Sequence, residues 1–249
     1  MSKIILQIKN LKKIYHTKKK EILAVEDFSL DLKEGEFVSI VGPSGCGKST
    51  ILSILCDLLK SSSGNIKIDD NKKIGYMLQE DSLLEFRTIL KNCLLGLEIK
   101  NELTDENKDY VIKLLKTYGL KDFINSYPEN LSGGMRQRVA LIRTLATKPD
   151  ILLLDEPFSS LDYQSRLAVS DDVYNILKKE KKSAIMVTHD LAEAISMSDR
   201  IIVLTKRPSK IKKIFEINLT DKSTPINNRK AKEFPMYYDQ IWKEIDFHV

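Results

Sequence analysis

Cysteine and tryptophan are scarce, with three cysteines and one tryptophan in 249 residues. The odd set Cys46, Cys56 and Cys93 has no metal-ligand spacing, which excludes a disulfide framework and a thiolate zinc site. All three read as reduced thiols in small apolar positions. No apolar run approaches the about 18 residues that a membrane-spanning helix needs. The segment Met1-Ser2-Lys3-Ile4-Ile5-Leu6-Gln7 lacks the apolar length and cleavage site of a secretion signal, so a cytosolic chain is predicted. Internal repeats are also missing.

Charge is not scarce in either sign. Forty basic residues face 35 acidic ones, for a net charge of +5 and a pI near 8.9. That balance permits a nucleic-acid partner without requiring one, and the lysine runs Lys18 to Lys20 and Lys178 to Lys182 read as solvated surface. At 42% hydrophobic residues, the chain can bury one large core with a smaller lobe.

What is present is a phosphate-binding pattern. GPSGCGKST, from Gly42 to Thr50, fits G-x-x-x-x-G-K-[ST] at Gly42, Gly47, Lys48 and Ser49. The apolar run Phe37 to Val41 precedes it and a helix-like stretch, Lys48 to Leu59, follows, which is the strand-loop-helix context the pattern requires. Backbone N–H groups of Gly42, Pro43, Ser44, Gly45, Cys46 and their neighbours form the cradle, apart from Pro43, which has none. Lys48 supplies a point charge, Ser49 a hydroxyl for Mg²⁺, and Thr50 a further phosphate contact. Cys46, inside this N–H-rich loop at a helix start, has two readings: a small residue that the loop tolerates, or a thiol whose pKa is lowered and which is open to oxidation.

A second motif, ILLLDEP, runs from Ile151 to Pro157. Four apolar residues ending in two carboxylates fit a strand buried on both faces that delivers Asp155 and Glu156 to its carboxyl end. Asp155 would hold Mg²⁺, and Glu156 would accept a proton from an attacking water. Taken alone, the run fits equally well a strand ending in a solvated acidic turn.

Between these motifs lies LSGGMRQR, Leu131 to Arg138. Its LSGGM resembles the signature sequence of ATP-binding cassette ATPases, usually LSGGQ, and the resemblance extends over nearly the whole chain. It implies that Ser132, Gly133 and Gly134 meet the ATP of an opposite subunit, so that two cassettes close head to tail over two nucleotides. It further implies adenine contact by Tyr15, which could otherwise simply cover a sheet edge. Gln79 resembles the glutamine that touches Mg²⁺ and the attacking water, and His189 the switch histidine at the γ-phosphate. Asp162, in Ser159-Ser160-Leu161-Asp162, resembles the residue through which the two subunits communicate. His16 and His248 have no such context and are expected to do no chemistry.

The implied fold is α/β, a P-loop NTPase core with a mostly parallel sheet, an N-terminal antiparallel β subdomain and an inserted α-helical subdomain. One ABC ATPase domain spans 1–249, with residues 1–79 and 131–249 as the nucleotide-binding core and 80–130 as the helical subdomain. Strands are predicted near Ile4 to Ile8, Phe28 to Leu32, Phe37 to Val41, Ile66 to Ile68 and Ile74 to Leu78. Helical spacing then holds from Thr88 to about Tyr118, and a signature helix from Met135 to Thr147. A strand over Ile211 to Ile217 and a helix over Ala231 to Ile245 complete a short tail, with no room expected for an added β-barrel domain.

The surroundings of Gln79 resemble the nitrate, sulfonate and taurine importer branch, whose cargoes also include thiamine-precursor pyrimidines. Phe86 and Arg87 lie where that branch receives its membrane subunit, although Glu85 replaces a usual proline. The resemblance implies an ATP-hydrolysing subunit peripheral to the cytoplasmic face of the membrane, with ATP and Mg²⁺ as cofactors. Its implied partners are a second cassette, integral membrane permease subunits and, indirectly, a solute-binding protein, with no nucleic acid. The alternative is a non-transport cassette ATPase acting on nucleic acid or a soluble complex. The short interval from Gln79 to Ser132 and the single cassette per chain speak against it.

Overall fold

The apolar runs β3 (Phe37–Val41), β6 (Ile151–Asp155) and β7 (Ser183–Val187) are buried along their whole length, as strands are when helices cover both faces of their sheet. They lie in a computed structural model that describes residues 3–18 and 20–245. His248 and Lys19 of the lysine run are outside the described residues. Six more strands join them: β1 (Ile4–His16), β2 (Glu21–Lys33), β4 (Ser63–Ile68), β5 (Ile74–Met77), β8 (Arg200–Leu204) and β9 (Ser209–Glu216). The order across the sheet is β4-β1-β2-β9-β8-β3-β7-β6-β5. The five from β8 to β5 are mutually parallel, whereas β1, β2 and β4 pair antiparallel at the other end.

Period-two alternation sends the side chains of each central strand to opposite sides of the sheet. Leu152, Leu154, Ala184 and Met186 join the core beneath α4 (Gly133–Ala146) and α5 (Tyr163–Lys179). Ile151, Leu153, Ile185 and Val187 face the other core, with Ile51 and Leu52 of α1 (Lys48–Leu55). A third core gathers β8, β9, α6 (Leu191–Met197) and α8 (Phe234–Glu244) around Ile195, Phe215 and Ile241. Short α7 (Pro225–Asn228) packs against α5 and α6.

Several elements differ in extent from their sequence signals. Strands β1 and β2 run 13 residues each, because repeated register shifts between them interrupt the alternation that marks a strand. Helix α1 stops at Leu55, where Asp57 takes a left-handed backbone with φ 59°. The helical stretch after Thr88 is two helices, α2 (Ile89–Ile99) and α3 (Asp105–Thr117), separated by Asn101 at φ 55° and restarted by the Thr104 cap. Both helices pack on α4.

Gly64 shows how tightly the antiparallel end is fitted. Its φ is +98°, and an added Cβ would sit 2.5 Å from the Asn10 carbonyl oxygen, beside a register shift in the β1–β4 pairing. Gly64→Ala is therefore expected to cost about 2–4 kcal/mol of unfolding free energy, from an unfavourable φ together with a backbone clash. Urea denaturation would measure it, and a loss under about 0.5 kcal/mol would show that the two strands part freely there.

Candidate functional site

The parallel order β3-β7-β6-β5 decides which side chains meet. Ligands of such sheets bind beyond the carboxyl ends of the strands. At that edge β3 leads into Gly42–Thr50, β7 into Thr188 and His189, β6 ends on Asp155 and Glu156, and β5 leads to Gln79. A cavity of about 580 Å³ opens there, lined by the phosphate-binding loop together with Glu156 and His189.

The loop turns into α1 at Gly47, whose φ of +114° is accessible to glycine and costly for other residues. Lys48 is 7% exposed, and its ammonium donates to the Gly42 carbonyl at 2.8 Å and the Pro43 carbonyl at 3.0 Å. Ammonium, glycine-rich turn and the first N–H groups of α1 together favour an anion in this cavity. Tyr15 approaches from β1, its hydroxyl 3.2 Å from that of Thr50, while the Lys13 ammonium lies 5.1 Å from its ring centroid. His16 is a surface residue 3.0 Å from Glu21 on β2.

Cys46 fits the first of its two readings, a small residue tolerated in the loop. The thiol is 1% exposed and packs with Ile51, Leu52 and Leu204, so burial pushes its pKa up. Lys48 and backbone N–H groups offset only part of that cost. The loop exposes its backbone to the cavity and turns this side chain into the core, which argues against a reactive thiolate.

Asp155 is 5% exposed and accepts from the Ser49 hydroxyl at 3.1 Å and the Tyr76 hydroxyl at 3.0 Å. Burial pushes its carboxyl up, and these two hydrogen bonds only partly offset it. One hydroxyl and one carboxylate are hard oxygen donors of the kind Mg²⁺ takes from a protein when phosphates and water fill the remaining positions. Glu156 follows at a left-handed φ of 44°, a strain of order 1–2 kcal/mol for a residue with a Cβ. Its carboxylate is 3.3 Å from Gln79 Nε2 and 3.2 Å from His189 Nδ1, which brackets it between the ends of β5 and β7.

Ser132 caps α4, accepting from the Met135 N–H at 3.4 Å. Among the described residues, Ser132, Gly133 and Gly134 do not line the cavity. Gly133 lies instead beside Leu161 and Gly134 beside Val169, while Gln137 donates to Ser160 at 3.3 Å. Asp162 caps α5 through the N–H groups of Gln164 and Ser165 at 3.1 and 3.0 Å. The candidate residues thus form two groups, one at the cavity and one at the starts of α4 and α5.

The segment after Gln79 is clamped to α4. Asp81 accepts from Arg136 Nε at 2.7 Å and Nη2 at 3.0 Å, Glu85 accepts from Nη2 at 2.7 Å, and Arg143 donates to the Ser82 carbonyl at 2.8 Å. Burial raises the Asp81 carboxyl, but the Arg136 guanidinium, the Leu83 N–H and the Arg143 charge together more than offset this and leave it below the usual range. Glu85, where a proline was usual, is thus a salt-bridge partner. Phe86 and Arg87 are split: Phe86 is 79% exposed, whereas Arg87 turns inward to grip both Glu98 oxygens at 2.7 Å.

Tyr76 and Arg136 touch the candidate residues, yet Tyr76 lies in no motif and Arg136, although inside LSGGMRQR, has no role assigned to it there. Tyr76 carries a hydroxyl in an apolar strand three positions before Gln79, which is the one signal available. Burial and the neighbouring Asp155 charge push that phenol up, so it remains a hydrogen-bond donor.

A family model described as ABC transporter matches residues 25–159. An uncharacterised ABC transporter ATP-binding protein of Bacillus subtilis, YtlC, is 44% identical over 97% of this chain and 95% of its own length. The aliphatic sulfonates import ATP-binding protein SsuB of Bacillus cereus is 38% identical over 86% of each chain. The nitrate import ATP-binding protein NrtD of Synechocystis is 35% identical over 95% of this chain and 93% of its own. Among solved structures, the dimeric post-hydrolysis state of the ATP-binding cassette MJ0796 bound to ADP and Pi superposes with a TM-score of 0.73 at 34% identity, covering 86% of this chain and 99% of that one. With a P-loop site at the carboxyl edge of a parallel sheet and these matches along its length, the chain belongs to the ABC transporter family as an ATP-binding ATPase cassette.

Proposed function

We propose that this cassette is the ATP-hydrolysing subunit of an importer for a small solute of the sulfonate, nitrate, taurine or thiamine-precursor kind. The observation that carries the chemistry is the Glu156 carboxylate held between Gln79 and His189 at the mouth of the phosphate-binding loop. In that position it can take the proton of an attacking water, while Gln79 fixes its orientation and His189 lies ready for the γ-phosphate. Lys48 and the loop N–H groups bind the β- and γ-phosphates, and Tyr15 contacts the base. Bound Mg²⁺ would neutralise phosphate charge, held by Ser49, Asp155 and Gln79. Ser132, Gly133 and Gly134 are the anion-binding helix start that a second cassette offers to this ATP, with Asp162 alongside.

The importer assignment draws support from the sulfonate and nitrate relatives and from an exposed aromatic beside a braced loop. Phe86 projects from a segment fixed by Arg136, Arg143 and the Arg87–Glu98 pair, so a push on it moves α4 rather than dissipating in a loose loop. Exposed aromatics on rigid supports suit protein interfaces. We therefore place the permease contact at Phe86, with Arg87 as its inner brace, on the cytoplasmic face of the membrane.

Glu156→Gln is expected to cut ATP turnover by about 100-fold or more while keeping ATP binding, as loss of a general base does. Near-normal turnover would remove Glu156 from that role. Lys48→Ala should weaken ATP affinity by at least about tenfold in calorimetry, because a charge-assisted phosphate contact is lost. Unchanged affinity would contradict the loop assignment. Tagged Glu156→Gln with ATP, drawn from detergent-solubilised membranes of its host, should bring down a polytopic membrane protein, and Phe86→Ala in the same background should release it. Recovery of nucleic acid or soluble chains instead would overturn the transporter assignment.

A further inference from the structure

Glu193 is a carboxyl 3% exposed to solvent, and none of the steps above uses it. It accepts from the Thr188 hydroxyl at 2.7 Å, and Thr188 Oγ1 in turn accepts the Asp190 N–H at 3.0 Å. Asp190 caps α6 through the N–H groups of Ala192 at 2.8 Å and Glu193 at 3.1 Å. Both chain neighbours of His189 are therefore fastened into one hydrogen-bonded set. Arg166, in the first turn of α5, completes it. Its Nη1 donates to Asp190 at 3.3 Å, its Nε lies 3.7 Å from Glu193, and its Nη2 donates to the Leu161 carbonyl at 3.0 Å, one residue before Asp162.

A second guanidinium faces the same carboxyl. Arg229, just after α7, has Nε and Nη2 buried without a hydrogen-bond partner and acts on Glu193 electrostatically. The charged groups around Glu193 are thus Asp190 on its own helix, Arg166 from α5 and Arg229 from the tail. A buried carboxyl costs free energy, and an apolar residue of similar volume often serves stability as well. Stability alone gives little reason to keep an ionisable group here, between two segments that flank the chemistry.

We propose that Glu193 and Arg166 are positioning residues for hydrolysis, a part-buried bridge that fixes the His189 segment relative to the Asp162 segment, so that a second cassette arriving at Asp162 is registered at His189. The proposal rests on the roles given above to His189 and Asp162. It adds a route between them through Leu161, Arg166, Asp190, Glu193 and Thr188.

Burial, then repulsion from Asp190, pushes the Glu193 carboxyl up to about 7, against the pull of Thr188, Arg166 and Arg229. Above that pH the carboxylate pairs with Arg166, and below it the proton weakens the pair. Stability runs the other way. An acid with a raised folded pKa makes the protein less stable as pH rises from the ordinary carboxylate range to about 7. Ionising Glu193 therefore favours the bridge at a cost in stability, a combination that a purely structural salt bridge would not give.

Steady-state ATP turnover and thermal unfolding of the full chain, measured at about pH 6 and about pH 8, separate the two. At the higher pH, Glu193→Gln and Arg166→Lys are each expected to lower kcat about tenfold with KM for ATP within about twofold, and the double variant to be no worse than the weaker single. The wild-type to Glu193→Gln ratio of kcat should fall toward one at the lower pH, while the wild type loses relative stability at the higher pH. Unchanged kcat in both singles, additive losses, or a ratio flat with pH would overturn the bridge, provided His189→Ala abolishes turnover. Full turnover in His189→Ala would overturn the role of His189 and the bridge with it.

Discussion

The burial of β3, β7 and β6 within a parallel set that β5 extends is the constraint on which the rest of the molecule depends. Connecting helices cover both faces of the inner parallel strands, so β3, β6 and β7 are mainly apolar and buried along their whole length, while β5 at the sheet edge is half-buried. The same connectivity places every carboxyl end at one edge of the sheet. Gly42–Thr50, Thr188–His189, Asp155–Glu156 and Gln79 arrive there from segments far apart in the chain, with Thr50 and Thr188 separated by 138 positions. No loop has to search for the site, because the sheet delivers each residue as a consequence of its own hydrophobic pairing.

Placing charge at the end of a dry sheet has consequences that differ from residue to residue. Asp155 is raised by burial and steadied by Tyr76 and Ser49, which keeps its oxygens pointing at one position. Asp81 ends below the usual range because a guanidinium forks onto it, and Asp162 does so because its own helix start donates to it. Cys46 shows the opposite limit, where the loop's electropositive surface fails to reach a thiol directed into the core. Position within a few ångströms, rather than membership of a motif, decides which way each group is shifted.

Guanidinium groups connect the parts that carry these charges. Arg136 and Arg143 tie the segment after Gln79 to α4, and Arg166 ties the start of α5 to the residues around His189. Each fork holds two or three oxygens at once, which resists shear as a single lysine would not. In a cassette whose two candidate groups lie apart in the isolated chain, such braces let movement at one surface be felt at the other.

Motif chemistry and strand character were legible in the sequence. GPSGCGKST, LSGGM and ILLLDEP are local, since each works through backbone geometry or residues within one turn, and β3, β6 and β7 announce themselves by mainly apolar runs. Strands β1 and β2 were half hidden, because the register shifts that let them twist also break their alternation. Tyr76, Arg136, Arg166 and Glu193 had no role that sequence alone assigned: each acquires its partner only when distant segments pack, as when Arg166 meets Leu161, Asp190 and Glu193 together. The sequence by itself determined which backbone turns and which ionisable groups are present. Only the tertiary structure decided which of those groups face one another and how deeply they are buried, because pairing and desolvation depend on chain segments that sequence spacing does not relate.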